Sequence, residues 1–324
     1  MSVSNAGNLY QDPLLSNVGS RFRNKKFIAD RVLTAVPVPK KTFKWLKWDD
    51  VAFDLHDTRA VPKGAPNQIS YSATKENGTC ETEYLADEID PSDQEQAGGE
   101  LPLKTITTEL LAEGLMLRRE KTVADLLFNT AVITQNTTLA GANQWSHADS
   151  DPQKAIKAKA DTMMVSPNIL VCGKEVLTAI ETNPKVRTAF QGQGLPAITT
   201  EWLAKYLGLE EIIVGEAWYN SAKKGQASSV TRLWGKDALL CYRATTPPSP
   251  LMDVPTIGYL PTMGGFVPGQ QPAQASGALP VRIYTTVVGT RGTREGVTFL
   301  KAECDYGVLV SAPKLGFLWK AAVA

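Results

Sequence analysis

A long amphipathic segment in the first half of the chain limits the shapes that the whole molecule can take. The sequence "LLAEGLMLRREKTVADLLFNTAVI" comes shortly after Thr107 and Thr108, either of which can cap a helix. Apolar residues recur in it every seven positions, at Leu110, Leu117, Ala124 and Ala131. About 26 residues make a rod near 40 Å long, which suits a thin, plate-like molecule. A coiled coil is the alternative, although Gly114 and the pair Arg118 and Arg119 interrupt its seam.

An extended hairpin is predicted near the N-terminus. The stretch "FIADRVLTAVPVPKKTFKWLKWDD" (27–50) begins as an apolar-periodic segment and alternates from Lys41 onward. Alternation predicts a strand, and it resumes in "VAFDLH" (51–56) and in "QISYSAT" (68–74), on either side of a turn-rich segment at 57–67. An isolated hairpin of this length is marginally stable in water, so we expect it to need a partner surface.

Opposite charges are concentrated in two neighbouring parts of the chain. Residues 81–100 carry eight acids and no Lys or Arg, and we call this segment the acidic belt. Residues 21–47 carry nine basic residues and a single acid, Asp30. These charge runs are either two solvated faces or a means of steering the arm of one copy to the belt of another.

The lysines and tryptophans at 40–48 allow further interpretations. Basic residues interleaved with aromatics can form a stacking surface for single-stranded nucleic acid, but here the acids Asp49 and Asp50 follow directly. A membrane-surface segment would need a helical moment, which this stretch lacks. Docking on a neighbouring copy of the same protein fits the pattern best.

The middle of the chain alternates between helix and strand patterns. A helix is predicted to begin at Ser150, which has the spacing of a capping box. The strand "NILVCG" (168–173) follows, then a helix that stops at Pro184, a helix that ends at Gly208, and the strand "EEIIVGEAWY" (210–219). This alternation indicates a small α/β unit.

The later part of the chain has turn, loop and strand signals. The residues at 235–237, Gly-Lys-Asp, lie between two apolar runs and predict a hairpin. Residues 245–280 are rich in Pro, Gly, Gln and Ala and are predicted to form a loop. The segments 281–290 and 296–322 return to strand patterns.

Composition indicates a globular protein without a global charge signal. The 324 residues can bury a large core, and 34 Lys and Arg against 33 Asp and Glu leave no overall basic field for nucleic acid. The cysteines lack C-x-x-C spacing and are predicted to be reduced core residues: Cys80, Cys172, Cys241 and Cys304. No secretory pattern and no window of about 18 apolar residues are present, so we expect the protein to be made and to work in a cytoplasm.

No constellation of catalytic, cofactor-binding or metal-binding residues emerges from the sequence. The two histidines, His56 and His147, stand apart in a strand end and a polar loop. The letters "GQGLPA" from Gly192 follow a helix rather than a strand, so they predict a turn and not a dinucleotide site. A phosphate-binding loop and a nucleophile elbow are also missing. We therefore expect a structural protein rather than an enzyme, with no catalytic residue, cofactor or metal.

The order of these segments resembles a known family. The polar arm, the stretch at 27–50, the hairpin tip "TRAVPKGAPN", "YSATKENGTCETEYLADEI", the helix with "LMLRREKTVADLLFN" and "LWGKDALLCY" together resemble a major capsid protein of a tailed bacteriophage. The resemblance runs over nearly the whole chain from about Tyr10. It implies an α+β fold of the Hong Kong phage type, which encapsulin compartments also use.

The resemblance implies five structural regions. They are an N-terminal arm at 1–38, an extended β-hairpin loop at 39–80, a peripheral domain at 81–164 with a long spine helix at about 107–133, an α/β axial domain at 165–285, and a final region at 286–324. The final region would supply a return strand near 298–306 to the peripheral domain and then re-enter the axial domain.

The resemblance also implies a function. The chain would assemble into pentamers and hexamers of an icosahedral head that encloses double-stranded DNA, with a portal, a separate scaffolding or decoration protein, and non-specific DNA contacts as partners. It would reside in the virion after assembly in the host cytoplasm, without any membrane contact. The alternatives are an encapsulin-like cargo compartment and, from another class, a cytoplasmic α/β enzyme.

Ten residues are the candidate assembly contacts. Four lie on the arm, two near the hairpin tip and four on the acidic belt: Arg21, Arg23, Lys25, Lys26, Arg59, Lys63, Glu81, Glu83, Asp87 and Glu88. Some members of the family crosslink neighbouring subunits through a lysine and an asparagine. Lys63 stands at the hairpin tip, but the sequence indicates no partner for it.

Overall fold

A computed structural model describes most of the chain. The described residues are 10–11, 27–48, 59, 73–96, 102–191, 197–223, 225–245, 252, 254–263, 281–288 and 297–324. The strands, in chain order, are β1 (Tyr10–Gln11), β2 (Thr34–Pro37), β3 (Thr42–Trp48), β4 (Ala73–Thr79), β5 (Glu81–Ile89), β6 (Asn136–Thr138), β7 (Ile169–Gly173), β8 (Glu211–Gly215), β9 (Trp218–Asn220), β10 (Val230–Arg232), β11 (Ala238–Cys241), β12 (Gly258–Thr262), β13 (Arg282–Val288), β14 (Val297–Tyr306), β15 (Leu309–Val310) and β16 (Gly316–Lys320). The α-helices are α1 (Ala29–Val32), α2 (Pro91–Gln96), α3 (Leu103–Leu127), α4 (Pro152–Ala160), α5 (Lys174–Thr182), α6 (Pro184–Phe190) and α7 (Thr200–Leu207). None of the described helices is both long and apolar enough to cross a membrane.

The predicted long helix is present as α3, but its ends differ from the prediction. The helix has 25 residues, and thus a length of about 37 Å. It begins at Leu103, after Pro102, without a side-chain cap. Thr108 lies inside the helix, where its hydroxyl donates to the carbonyl of Lys104 at 2.7 Å. The predicted threonine cap is therefore wrong, because the proline starts the helix before either threonine is reached.

The buried face of α3 also differs from the predicted seven-residue stripe. Leu110 is 64% exposed, whereas the buried residues repeat at spacings of three and four: Thr108, Leu111, Ala112, Leu115, Met116, Arg119, Glu120, Val123, Ala124 and Leu127. This is the period of a straight helix on a sheet, not that of a coiled coil. Arg119, which we expected to interrupt an apolar seam, is instead part of the buried face.

The helix α3 packs on one face of a seven-stranded sheet. The main path of this sheet is β1-β13-β14-β12-β15, while β5 also pairs with β14 and β2 runs parallel to β12. Alternate residues of β14 are buried, and Leu300, Ala302 and Cys304 share a core with Leu111 and Leu115 of α3. The long strand at 297–306 lies where the sequence predicted a strand.

The second sheet has five strands and forms the predicted α/β unit. Its order is β6-β16-β11-β7-β8, with β7 and β8 parallel. The helices α5, α6 and α7 lie between β7 and β8 in the chain. Gly208 ends α7 in the left-handed conformation (φ 80°), as predicted for a glycine C-cap.

The predicted start of α4 at Ser150 is one residue early. The side chain of Asp151 caps this helix, because it accepts a hydrogen bond from the Lys154 N–H at 3.0 Å. Ser150 instead donates to the carbonyl of His147 and accepts from the Asn183 amide. Ser150 therefore connects two loops rather than capping the start of α4.

The hairpin predicted at 235–237 does not form. β10 pairs with β9, whereas β11 pairs with β7 and β16. The intervening Trp234 is fully buried above Gly215, where a Cβ atom would lie only 2.0 Å from the indole Cδ1. The chain therefore enters the core at this point and changes sheets. Residues 235–237 were correctly predicted to contain a turn. A short-range pattern, however, does not show which strands a turn connects.

A buried strand lies in the region predicted as a loop. Within 245–280, β12 is buried at all five positions although it contains Pro261. Proline and glycine hid the strand from pattern analysis, since both are depleted in strand interiors. By its pairing, β12 belongs to the seven-stranded sheet, although it falls in the range 165–285 that the resemblance assigned to the axial domain.

The base of the predicted N-terminal hairpin is present. β3 and β4 pair antiparallel, from Thr42 opposite Thr79 to Trp48 opposite Ala73. The second strand shares residues 73 and 74 with the predicted 68–74 and continues to Thr79, while residues 68–72 lie outside the described residues. The hairpin tip with Lys63, the turn at Gly192 and His56 lie outside the described residues.

All four cysteines are free and buried, as predicted. Burial raises the pKa of Cys172 and of Cys241 to about 12 and that of Cys80 to about 11.

At pH 8 a thiol with a pKa near 12 is ionised in only on the order of one molecule in ten thousand, and the thiolate is the reactive form. We expect a thiol-reactive reagent at pH 8 to label no cysteine of the native protein within minutes and all four in urea. Rapid stoichiometric labelling of a native thiol would contradict the buried assignment.

Candidate assembly site

The potential metal ligands among the described residues do not come together at one place. Within them, no group of three or more His, Cys, Asp or Glu residues is placed to hold a metal ion. His147 is exposed, and its Nδ1 atom lies 3.7 Å from the carboxylate of Asp149, which is also exposed. The candidate sites are therefore surfaces and segments that could contact other molecules, beginning with the arm and the hairpin.

A buried carboxylate holds residues 28–33 in place, and we call these residues the arm root. Glu120 of α3 is 1% exposed and accepts three hydrogen bonds. Its Oε1 accepts from the Ile28 N–H at 2.9 Å and from the Trp234 Nε1–H at 2.7 Å, and its Oε2 accepts from the Ala29 N–H at 2.8 Å. Burial raises the pKa of this carboxyl, although the three donors and nearby Arg119 act in the opposite direction. Glu120 thus connects the arm, the long helix and the chain segment that enters the five-stranded sheet.

An ion pair beside Glu120 strengthens the same attachment. The Arg119 Nη2 atom lies 2.6 Å from Oδ2 of Asp30 in α1, and Arg119 is almost completely buried. Two consecutive residues of α3 therefore hold both the backbone and a side chain of α1. Because α1 is only one turn long, these contacts and its buried apolar residues, rather than its helix propensity, stabilise it.

The arm root also contacts the five-stranded sheet. Arg31 forms an ion pair with Glu211 at the start of β8, and its carbonyl oxygen accepts a hydrogen bond from Arg243. The Arg243 Nη2 atom lies 3.5 Å from the same Glu211 carboxylate. Apolar residues of the segment 28–33 contribute to a core that includes residues of both sheets. This segment thus lies where the two sheets meet.

A second buried carboxylate holds the base of the hairpin where β3 begins and β4 ends, and we call this part the hairpin root. Asp305 of β14 is 1% exposed, and its Oδ1 lies 3.3 Å from the Lys41 Nζ, just before β3. It also accepts hydrogen bonds from Thr82 and Arg282. Burial alone would raise the pKa of Asp305, but the hydrogen bond from Thr82 and the charge of Arg282 outweigh it, so this pKa lies below its usual value.

The four acidic-belt candidates do not form a single face. Paired residues of antiparallel strands lie on the same side of a sheet. Glu83 and Asp87 oppose core residues of β14 and lie on the side that α3 covers, whereas Glu88 pairs with Phe299 on the other side. Glu81 shares the side of Glu83. Strand alternation thus divides a charge run that looked continuous in the sequence.

The structure brings together only some of the ten candidates. Glu81 and Glu83 lie near each other at the start of β5, and the Glu83 Oε1 is 3.6 Å from Arg118 Nε. Arg59 is described and is exposed. The remaining basic candidates lie outside the described residues: Arg21, Arg23, Lys25, Lys26 and Lys63.

Sequence reasoning missed the two buried carboxylates that anchor the arm and hairpin. Glu120 and Asp305 stand in charged or mixed surroundings in the sequence, and neither is part of a recognisable motif. A signal for Glu120 exists in the helix period, because it lies four residues after Met116 and three before Val123, on the same buried face. The alternation of β14 does not predict the burial of Asp305, because the last three residues of that strand are all buried.

Large apolar side chains are exposed on β5, which is part of the acidic belt, and on α3. The most exposed ones on β5 and α3 are Tyr84, Leu85, Ile106 and Leu110. Leu85 lies against Gly114 of α3, where an added Cβ atom would be 2.7 Å from its Cδ1. Tyr84 and Leu85 lie on opposite sides of the sheet, because successive residues of a strand alternate, so the four side chains do not form a single patch.

Comparison with solved structures identifies the fold. The structure matches a phage-related protein from Bordetella bronchiseptica RB50 with a TM-score of 0.70, at 21% identity, over 98% of this chain and 99% of that chain. It matches the capsid structure of the cyanophage P-SCSP1u with a TM-score of 0.56, at 11% identity, over 98% of this chain and 92% of that chain. The predicted α+β capsid fold of the Hong Kong phage type is thereby confirmed.

Comparison of sequences gives the family. Residues 108–252 match the family model described as phage major capsid protein E. The chain is also 31% identical over 320 residues to a major capsid protein of Pseudomonas phage JBD67, a match that covers 97% of this chain and 97% of that protein. The similarity therefore includes the arm, the hairpin and both sheets, and this chain belongs to the family of phage major capsid proteins.

Proposed function

We propose that this chain assembles into the pentamers and hexamers of an icosahedral head that encloses double-stranded DNA. The observation that carries the proposal is the similarity to a phage major capsid protein over almost the full length of both chains. The family relationship supports a shell-forming structural protein that associates with copies of itself and resides in the virion, and it does not favour the enzyme alternative. Each contact between copies can be weak, because every subunit makes several at once.

The two sheets support the assignment of two domains within the subunit. In this proposal the seven-stranded sheet and α3 form the peripheral domain, and the five-stranded sheet with α5 to α7 forms the axial domain around the symmetry centres. β14 and β16 are close in the chain but lie in different sheets, which matches a chain that returns through one domain and ends in the other. The arm at 1–38 and the loop at 39–80 would reach neighbouring copies from the two buried roots.

The further partners are proposals of the same kind. A portal, a separate scaffolding or decoration protein, and non-specific contact with packaged DNA follow from a phage head, as does assembly in the host cytoplasm. With a formal net charge of +1, the whole chain has no strong attraction to DNA, so contacts with it would be local and independent of its sequence.

Negative-stain microscopy with light scattering tests the shell function. We expect closed shells or capsomer rings of megadalton mass, either from the purified chain or after coexpression with a neighbouring scaffolding gene. Particles that protect DNA from nuclease would distinguish a phage head from a cargo compartment, which would contain protein instead. A monomer or dimer under both conditions would overturn the proposal and restore the enzyme alternative.

The arm is proposed to pair with the acidic belt of a neighbouring copy. Replacing Arg21, Arg23, Lys25 and Lys26 by Glu reverses the charge of the arm, and we expect this variant to lose most of its assembly because like charges then meet. Particle yield from sedimentation measures the loss. The control reverses two exposed basic residues of α4, outside the helices assigned to the axial domain: Lys154 and Lys157. An arm variant that assembles like this control would contradict the pairing.

A further inference from the structure

The strand β1 brings part of the N-terminal arm back to the seven-stranded sheet. It pairs antiparallel with β13, so that Tyr10 lies opposite Thr285 and Gln11 lies opposite Tyr284. β13 lies between β1 and β14, and without β1 it would be the edge of the sheet on this side. In a single subunit, this part of the arm is therefore bound by a strand of its own chain.

The edge that β13 offers is chemically suited to accept a strand. Its residues 283–288 are Ile, Tyr, Thr, Thr, Val and Val, which are β-branched or aromatic and carry no charge. In contrast, β5, which pairs only with β14 among the described strands, carries four acids: Glu81, Glu83, Asp87 and Glu88. Charged side chains protect an edge strand against the addition of another strand. We therefore expect strand addition to this sheet at β13 and not at β5.

The arm is also attached at its other end. The arm root is held by the buried carboxylate of Glu120. Residues 12–26, which separate β1 from Phe27, can span about 50 Å when fully extended. For comparison, the whole of α3 has a length of about 37 Å. The connection is therefore long enough for β1 of one copy to reach the sheet of an adjacent copy while the arm root stays in place.

Pairing with a second copy preserves the contacts that β1 makes in its own chain. Strand pairing depends on backbone hydrogen bonds and on facing side chains, and both are the same in every copy. Exchange of an identical element between copies is therefore a low-cost route to association. Pairing within one chain also closes a loop, which costs conformational entropy, whereas pairing with another copy does not close it. Exchange therefore becomes favourable once other contacts hold the copies together.

The charge of the connection is complementary to the sheet that would receive β1. Residues 12–26 include four basic residues and one acid, Asp12. β5 lies two strands from β13, thus about 10 Å away, and carries the exposed acids Glu81, Asp87 and Glu88. A second copy that supplies the β13 edge thus also supplies negative charge for the basic connection.

We propose that β1 is exchanged between copies. In the free subunit it pairs with β13 of its own chain, and in the shell it pairs with β13 of a second copy, in the same register. The inference rests on the proposed shell function and makes it more specific, because it names the strand that leaves one copy and the edge that receives it in the next.

Two single cysteine variants test the exchange, because neither can form the pair within one chain. Gln11→Cys and Tyr284→Cys each contain one half of an opposed pair, whose Cα atoms lie about 4.5–5.5 Å apart in an antiparallel ladder, within the range of a disulfide. The four native cysteines are buried. We expect oxidised particles from an equal mixture to give at least about tenfold more disulfide-linked dimer than particles of either variant alone, because only the mixture brings opposed cysteines together.

The matched control replaces Tyr284→Cys by Thr286→Cys in the mixture. Position 286 lies on the same side of β13 but two residues out of register with Gln11, which is too far for a disulfide. We expect little dimer from this mixture. Particles that form in normal yield without a dimer between Gln11→Cys and Tyr284→Cys, or with as much dimer in the control, would overturn the exchange and leave the shell function intact.

The double variant Gln11→Cys/Tyr284→Cys gives an independent measurement. Oxidation of the free subunit links β1 to β13 within one chain, so this strand can no longer be exchanged. We expect the linked chain to lose at least about tenfold in particle yield, because every subunit loses one of its several contacts, and to recover when the disulfide is reduced. The reduced protein is the control for the substitutions themselves. A linked chain that assembles like the reduced one would contradict the exchange. A wild-type chain that forms no particles, with and without the scaffolding gene, would overturn the shell function and the exchange together.

Discussion

Replacing Glu120 by alanine is expected to lower the free energy of unfolding by about 3–5 kcal/mol, because three donors lose their acceptor. Two of them are the backbone N–H groups of Ile28 and Ala29, and the third is the indole N–H of fully buried Trp234. A buried donor without an acceptor costs its full desolvation penalty, and the side chain also leaves a cavity. Urea titration followed by circular dichroism measures the change.

The control for Glu120→Ala is Asp125→Ala on the same helix. Asp125 pairs with Lys121 on the surface, and such pairs contribute at most about 0.5 kcal/mol. We also expect Glu120→Ala, but not the control, to make the chain more sensitive to proteases near residue 28, because the arm root loses its attachment. Similar unfolding midpoints for both variants would show that the buried carboxylate does not anchor the arm.

Replacing Asp305 by alanine is expected to destabilise the protein by about 3 kcal/mol, because it breaks a buried ion pair by removing one partner. Arg282 still forms an ion pair with Glu303, with 2.9 Å between Nη2 and Oε1, so the charge of Arg282 is not left entirely unpaired. Lys41 and Thr82 lose their common acceptor. The hairpin root would then be held mainly by strand pairing, and urea titration measures the loss.

The matched control for Asp305→Ala is alanine at Asp149, which is also an aspartate near a basic side chain but is exposed. We expect this control to change stability by less than about 0.5 kcal/mol, as is usual for surface substitutions. A loss at Asp305 no larger than that of the control would mean that the carboxylate contributes nothing to the hairpin root.

The same carboxylate gives a pH dependence with a definite sign. The pKa of Asp305 is lowered in the folded protein, so the unfolded chain takes up its proton first as pH falls. The stabilisation is therefore complete above the unfolded pKa of about 4 and disappears as pH falls through the lower, folded value. Between about pH 5 and pH 2, wild type should lose more stability than Asp305→Asn. Parallel curves for the two proteins would show that Asp305 does not stabilise the fold through its charge.

The sequence predicted the elements whose signals are local. The α/β alternation, the glycine end of α7 and the strand at 297–306 each depend on residues within one element, and all three are present. The family resemblance added the order of the parts, which no single pattern contained.

Features that depend on contacts between distant residues were not predictable. Strand β12 was hidden by Pro261, and its place beside β2 depends on residues more than two hundred positions away. The acidic belt looked uniform because a charge count ignores the alternation of a strand. The helix period places Glu120 on the buried face of α3, but its role in holding the arm depends on three donors from two other parts of the chain.

The position of β16 has a consequence for how the chain folds during synthesis. β16 lies between β6 and β11, and its Leu318 is fully buried in the core that also contains Leu33 at the arm root. A ribosome produces the arm root, α3 and β11 long before β16, so the nascent chain lacks a central strand while the residues before it have already emerged. The final core then closes late, and contacts between copies that require the finished surface cannot form on incomplete chains. We therefore expect a subunit to become able to associate with other copies only after β16 has been synthesised and has joined its sheet.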